Sequence, residues 1–411
     1  MCPAGLTGRF PHEYVYGVRK GNGMIDQTVM GIVIGILLLR FVLETGLLVL
    51  NIRHVRRREG TVPDAVRDRI EAATAERAAR YTLSKNRFSL IVLLFSTAFA
   101  AALLFFQVFG QLEKAVALLG LPGYLDKLVF LAASGFLFFL FFLPFSLYAQ
   151  FGLETRYGFN TMTPGVFLGD LIKSLSVNVV IGVPLILGIF VLVDAAGAWW
   201  WVLAWGLFVL AQLVLSFLYP AVIAPLFNKF TPLQEGSLKE RLRELFAAEG
   251  LTLKGIYIMD GSRRSRHGNA YFTGFGKVKR IVLFDTLVSS LSEDELVAVT
   301  AHELGHERKG HVWKGMAAGV LVSAAGFFLL SLLLQFPPLF TAFGLAGPSV
   351  AGLFVIARVA GGPLFFLFRP VVAAFSRRRE YQADRFAVRA LGGNSTPMET
   401  ALVGLSRENL A

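Results

Sequence analysis

Seven stretches of about 20 largely apolar residues constrain this chain more than any other feature, because a helix needs roughly that length to cross about 30 Å of hydrocarbon. They run approximately from Thr28 to Leu50, Phe88 to Gly110, Leu128 to Tyr148, Leu171 to Val193, Trp199 to Tyr219, Gly315 to Phe336 and Ser349 to Phe368. Inside a bilayer every backbone polar group must be satisfied within the structure, and a single run of residues does this only as a helix. The chain therefore reads as an α-helical polytopic membrane protein. Its composition agrees: 55% of residues are hydrophobic and 17% charged, against about 45–50% and 25% in soluble domains. A disordered chain and an ordinary soluble globule are both excluded. The single cysteine, Cys2, also excludes an intrachain disulfide framework.

Seven crossings put the first, third and fifth loops and the C-terminal tail on one side. That side carries 33 of the 40 Lys and Arg residues, including Arg56, Arg57 and Arg58 in the first loop. The positive-inside rule then places the N-terminus outside and the large polar segments 51–87 and 220–314 in the cytoplasm. The net charge of +12 is accounted for by this asymmetry, so no nucleic-acid partner is expected. The first 27 residues are polar and lack a small-residue cleavage site, so they read as a retained extramembrane segment and not a signal peptide. The organisation expected is an N-terminal segment 1–27, spans one to five within 28–219, a cytoplasmic domain 220–314, spans six and seven within 315–375, and a C-terminal helix within 376–411. Arg40 and Glu44 lie four apart on one face of the first span. Charges at that depth either satisfy each other or line an internal aqueous cavity, and both readings are open.

The chemistry is concentrated in SEDELVAVTAHELGHERKGH, residues 292–311. Ser292 and Glu295 form a capping box, so a helix starts there. On that helix His302 and His306 share a face at a spacing that lets two imidazoles hold one metal ion, and Glu303 is placed to act as general base. A catalytic zinc site needs a third protein ligand. His311 does not fit, because the extended pattern H-E-x-x-H-x-x-G-x-x-H requires His at 312, and five residues beyond His306 turn it off the ligand face. It is expected at the surface or as a cap. Downstream carboxylates are few: Glu307, Glu380, Asp384, Glu399 and Glu408. Glu307 points about 100° away from His306, and the last two lie near the frayed end. Glu380 opens the segment EYQADRFA just after Arg377–Arg379, which are expected to terminate the seventh span. It shares a face with Asp384, which suits Glu380 as a zinc ligand and Asp384 as the residue that orients a ligand histidine. An arginine-paired surface carboxylate is the competing reading of Glu380. Two crossings separate Glu380 from His302, so both face one compartment, as a shared ion requires.

Two further strands, Asn269–Phe272 and Arg280–Phe284, are expected on either side of the Gly-rich turn TGFGKVK, beside an earlier strand Gly255–Met259. An exposed strand next to the motif helix can hold an extended peptide by main-chain pairing, and an ordinary hairpin is the alternative.

Taken together, LPFSLYAQFGLETRYGFN at 143–160, GNAYFTGFGKVKRIVLFDTLV at 268–288, TAHELGHERKGH at 300–311 and EYQADRFA at 380–387 resemble the type I CAAX prenyl protease family of integral-membrane zinc metalloproteases. The resemblance covers most of the chain. It implies a barrel of seven helices around a water-filled chamber, closed by an α+β protease domain, which would give Arg40, Glu44 and Arg358 a wet surface to face. It also implies one zinc ion on His302, His306 and Glu380, Glu303 as catalytic base, Asp384 in support, and Asn269 and Ala270 holding the substrate backbone. The substrates implied are prenylated C-terminal or other membrane-associated peptides, in contact with membrane lipid. The housing membrane would be the inner membrane in a bacterium and the endoplasmic reticulum in a eukaryote. The alternatives are a membrane quality-control protease without prenyl specificity, or a channel or transporter with structural zinc. Structural zinc sites are usually rich in cysteine, which counts against the latter. The family pattern continues into a His-Pro segment ending in Glu-Arg, whereas here no histidine follows His311. Zinc binding is expected to survive that difference. An oxyanion-stabilising residue is left unassigned.

Overall fold

The computed structural model describes residues 23–62, 64–274 and 278–410. The N-terminal segment expected over 1–27 therefore lies mostly outside the described residues, as does part of the Gly-rich turn. Among the described residues seven helices are long and apolar enough to span a membrane: Met24–Arg57, Ala72–Phe105, Leu125–Tyr157, Pro164–Ala195, Gly197–Phe227, His311–Leu333 and Val350–Ala390. At 1.5 Å per residue most of them exceed the hydrocarbon thickness, so their ends project into the polar regions on either side. Six of the seven bury only 6–17% of their most apolar window inside the protein, and the seventh buries 39%. A solid bundle would bury an inner stripe on every helix. The low burial is what helices arranged as the wall of a barrel have, each with few helical neighbours.

Most helices extend beyond their apolar windows, and three of the ends differ in ways that shape the fold. The second span ends at Phe105, because Gln107 adopts a left-handed conformation (φ 50°) and a separate helix, Val108–Ala117, follows. The sixth ends at Leu333, and a short helix, Pro337–Ala342, starts just beyond Phe336. The seventh does not stop at Arg377–Arg379. It continues unbroken to Ala390, so the boundary expected near 375 falls inside one helix. Apolar windows end where the hydrocarbon ends, whereas helices end where backbone hydrogen bonding is broken.

One end of the barrel is closed by a buried cluster that includes Leu104, Phe109, Phe340, Phe343, Leu353 and Ile356. Its closest approach is between Gly110 and Gly344, the latter at φ +77°. Within the wall, Arg40 Nε lies 2.8 Å from Glu44 Oε2, and Arg369 reaches the other Glu44 oxygen at 3.7 Å. The mutually satisfied pair is thus present, extended by a third charge from the seventh span. Arg358 stands over the Phe138 ring at 4.9 Å.

The other end carries a sheet of four strands, β1 (Phe230–Pro232), β2 (Thr252–Met259), β3 (Ala270–Thr273) and β4 (Val278–Phe284), in the order β1-β2-β4-β3. β2 and β4 run parallel, while β3 pairs antiparallel with β4. β1 has only three residues and ends in proline, too little for alternation to reveal it. Leu242 and Phe246 of the helix Ser237–Ala248 share one buried cluster with Ile281 and Leu283 of β4 and with Leu296 and Ala301 of the motif helix. Arg264 ties this domain to the barrel. Its Nε and Nη2 donate to the two Asp170 oxygens at 2.7 and 2.9 Å, and the same guanidinium donates to Asn228 Oδ1 and the Phe227 carbonyl.

A Cβ on Gly110 would meet the Gly344 carbonyl oxygen at 1.9 Å. Gly110→Ala is therefore expected to lower the thermal midpoint of the detergent-solubilised protein through overpacking that costs about 1–3 kcal/mol. Gly135→Ala, which meets nothing within 4 Å, should leave the midpoint nearly unchanged in the same scan.

Candidate metal centre and peptide cleft

The motif helix runs from Glu293 to Arg308 and begins with the capping box anticipated from sequence: Ser292 Oγ accepts from Glu295 N, and Glu295 Oε2 accepts from Ser292 N at 2.8 Å. Buried Leu296, Val297, Ala301 and Leu304 hold it against the sheet. Its far end is fixed by Lys279 of β4, which is only 3% exposed and pairs with Glu307 at 2.6 Å. Burial of that lysine is tolerated because its charge is matched and hydrogen-bonded. Glu307 therefore anchors the helix and points away from the histidines.

The seventh-span helix crosses the motif helix at Gly305. A Cβ there would lie 2.9 Å from Ala383 Cα and 3.0 Å from the Ala383 carbonyl oxygen, and Ala383 and Ala387 are fully buried against it. Small residues on both sides let the two backbones approach closely. One turn away, Glu380 meets the histidines. His302 Nε2 and His306 Nε2 are 3.2 Å apart, and Glu380 Oε2 is 3.4 and 3.6 Å from them. Donors about 2.0–2.1 Å from a tetrahedral ion subtend edges of about 3.3–3.4 Å. The three measured edges fit that triangle, and the donors are the nitrogen and oxygen types that zinc accepts. His302 Nδ1 lies 2.8 Å from Asp384 Oδ1, which orients the ring with Nε2 facing Glu380. Burial and the neighbouring His302 push the His306 pKa below the usual histidine range, favouring the neutral imidazole that can donate a lone pair to a metal.

Glu303 lines the same cleft as His302, Glu380 and Asp384. Burial raises its pKa above the ordinary glutamate range; His302 opposes that shift and Glu380 adds to it. Asn269 and Ala270 line the cleft as well. Ala270 begins β3, the last strand of the sheet, whose inner edge is occupied by β4. Asn269 Oδ1 accepts from Ala270 N at 2.9 Å, and Asn269 O accepts from Phe284 N. His302, Glu303, Glu380, Asp384, Asn269 and Ala270 thus line one cleft, and His306 adjoins it through the contacts of its Nε2 with His302 and Glu380.

His311 is a correction. It is neither a surface residue nor a simple cap: only 5% exposed, it places Nδ1 3.0 Å from His306 Nδ1 and Nε2 2.9 Å from Gln382 Oε1. The helical angle beyond His306 does not apply, because the helix stops at Arg308 and Gly310 (φ +63°) reverses the chain before the next helix begins at His311. Four contributors had no signal strong enough to read from sequence: Gly305 as the crossing point, Lys279 as the anchor, Gln382, and His267. The last stacks on Phe159 at 4.2 Å and bonds Asn409 Oδ1 at 2.8 Å, steadying the approach to β3. A Lys-Gly-His run just after the motif could have flagged the turn at Gly310.

Two outcomes follow from this geometry. Gly305→Ala inserts a methyl against backbone atoms that cannot move aside, so it should push the seventh helix outward and weaken metal binding in a chelator competition, while Gly319→Ala, with open space around it, should not. For Glu303 the sign is set by a folded-state pKa raised above the unfolded one. Both states are protonated at low pH, and the destabilisation grows as pH rises through the ordinary glutamate value toward the folded one. Glu303→Gln should therefore raise the unfolding midpoint of the metal-free protein near pH 7, and the gain should vanish on acidification.

Residues 51–229 match the family described as CAAX prenyl protease N-terminal, five membrane helices, and residues 232–409 match Peptidase family M48. The chain is 35% identical over 385 residues to a CAAX prenyl protease 1 homolog of Oryza sativa subsp. japonica, covering 91% of this chain and 89% of that protein. It is 32% identical over 404 residues to the CAAX prenyl protease 1 homolog of Homo sapiens, covering 87% and 85%, and 33% identical over 381 residues to CAAX prenyl protease 1 of Saccharomyces cerevisiae, covering 86% and 83%. The crystal structure of S. mikatae Ste24p superposes with a TM-score of 0.86 over 93% of each chain at 29% identity. The chain belongs to the CAAX prenyl protease 1 family and is an integral-membrane metallopeptidase of the M48 type.

Proposed function

We propose that the metal is a single zinc ion held by His302 Nε2, His306 Nε2 and Glu380, and that the enzyme hydrolyses peptide bonds near the C-terminus of prenylated or other membrane-associated proteins. The observation that carries this reading is the triangle of 3.2, 3.4 and 3.6 Å between the three donor atoms. When bound, zinc supplies Lewis acidity that polarises the scissile carbonyl and makes water easier to deprotonate. Glu303 takes the proton from the attacking water and returns it to the leaving amine. Its raised affinity for protons, caused by burial, suits both halves of that task. Asp384 keeps His302 in the tautomer whose Nε2 is free to ligate. Asn269 and Ala270 present the start of the outermost strand, where an extended substrate adds to the sheet by main-chain pairing next to the three donors.

The substrate class is supported by the names of the relatives, CAAX prenyl proteases, and the apolar spans beside the protease domain are compatible with a lipid-modified peptide. The excess of Lys and Arg on the protease side supports a cytoplasmic catalytic domain.

Glu303→Gln tests the assigned base. The variant is expected to keep the zinc content of the parent while kcat falls by about 10²–10⁴-fold, the usual share of a positioned acid–base group. Turnover at the parental rate with full zinc would remove Glu303 from the mechanism. Comparing a farnesylated peptide with its unmodified counterpart on the parent protein checks the substrate class, with the lower KM expected for the farnesylated one.

A further inference from the structure

His311 and Gln382 do not touch the cleft, yet they form a continuous hydrogen-bonded line that ends on a proposed metal ligand. His306 Nδ1 is 3.0 Å from His311 Nδ1, and His311 Nε2 is 2.9 Å from Gln382 Oε1. The donors along this line follow from elementary chemistry. A carbonyl oxygen accepts only, so His311 Nε2 carries the hydrogen and donates to Gln382. His311 Nδ1 is then the bare nitrogen and accepts. His306 Nδ1 must therefore carry a hydrogen and donate, which leaves the lone pair on His306 Nε2, the atom 3.2 Å from His302 Nε2 and 3.6 Å from Glu380 Oε2. Run in the opposite direction, with an amide hydrogen of Gln382 donating, the same line would put the hydrogen on His306 Nε2 and block ligation.

We propose that Gln382 and His311 are positioning residues that set the tautomer and ring orientation of His306. They are the counterpart, for the second histidine, of what Asp384 does for the first. Three features of the structure support a built device over an incidental contact. His311 is 5% exposed, so its ring has no solvent partner to exchange for these bonds. It is returned to His306 by the left-handed turn at Gly310, a conformation that L-residues with a side chain rarely adopt. Gln382 lies between Glu380 and Asp384 on the seventh-span helix, so one short segment of that helix supplies a ligand and the outermost contacts of both histidines. The two supports differ in strength. Asp384 is a carboxylate and His302 receives a charge-assisted bond, whereas His306 receives a neutral one through an intermediary.

The inference rests on His306 being a ligand, and the experiment separates the two claims. Gln382→Met keeps the approximate shape and cannot accept strongly, while Gln382→Glu can only accept near neutral pH. Zinc dissociation constants are measured by chelator competition for the parent, both variants and His306→Ala, with the absorption spectrum of the cobalt-substituted proteins recorded alongside. Gln382→Met is expected to weaken binding about 10–100-fold, the range usual for loss of such outer contacts, and to alter the cobalt bands. Gln382→Glu should restore binding to within a few-fold of the parent. Parental affinity in Gln382→Met, or equal losses in both variants, would overturn the positioning role. Parental affinity in His306→Ala would instead overturn the ligand assignment itself.

Discussion

The close crossing of two helices at Gly305 and Ala383 is the constraint on which the rest of this molecule depends. A metal ligand set divided between residues 302–306 and residue 380 is useful only if the two backbones meet at a distance set by the length of a histidine and a glutamate side chain. The absence of a Cβ at Gly305 and the single methyl of Ala383 provide that distance. Larger residues at this crossing would separate the donors by more than side-chain rotation could recover, because close-packed interiors transmit displacement instead of absorbing it. The surrounding contacts then serve to keep the crossing in place: the capping box at Ser292, the buried Lys279–Glu307 pair and the Arg264–Asp170 clamp fix the motif helix, the sheet and the barrel relative to one another.

The length of the seventh helix has a second consequence. Because Val350–Ala390 is one continuous helix, the residue proposed to complete the metal site is mechanically part of the barrel wall. A change in the wall is carried along the helix axis to Glu380, Gln382 and Asp384 together. The two histidines, by contrast, belong to a domain that rests on a small sheet. The centre therefore bridges a membrane part and an aqueous part, and the spans open enough room between them that little of each helix is buried in protein.

Much of this was readable without coordinates, for identifiable reasons. Membrane spans are read from a property summed over about 20 residues, so single substitutions do not obscure them. The motif helix announces itself through local chemistry, a cap at Ser292 and two histidines four apart. Glu380 stands out as a candidate because few carboxylates follow His306 and because two crossings separate it from His302, so that span parity puts both on one side of the membrane. The expectation for His311 fails because a helical wheel does not extend past its own terminus once a glycine turns the chain. The seventh helix was cut short because hydropathy measures contact with lipid and is silent about helices that continue into water. Gln382 and Lys279 were invisible, since a polar residue beside a motif looks the same whether it faces solvent or a buried partner.

The sequence by itself determined that this chain crosses a membrane seven times, that its charged domain lies on the side of the Lys and Arg excess, and which side chains are chemically able to hold a metal and move a proton. These depend on composition, periodicity and residue type, all of which are local. Only the tertiary structure decided that a glutamate 74 positions beyond His306 comes within 3.6 Å of it, that His311 turns back to meet His306, and that the last strand of the sheet opens beside both. Those are distances between segments far apart in the chain. They are set by how closely two particular helices pack, which no pattern along a single segment encodes.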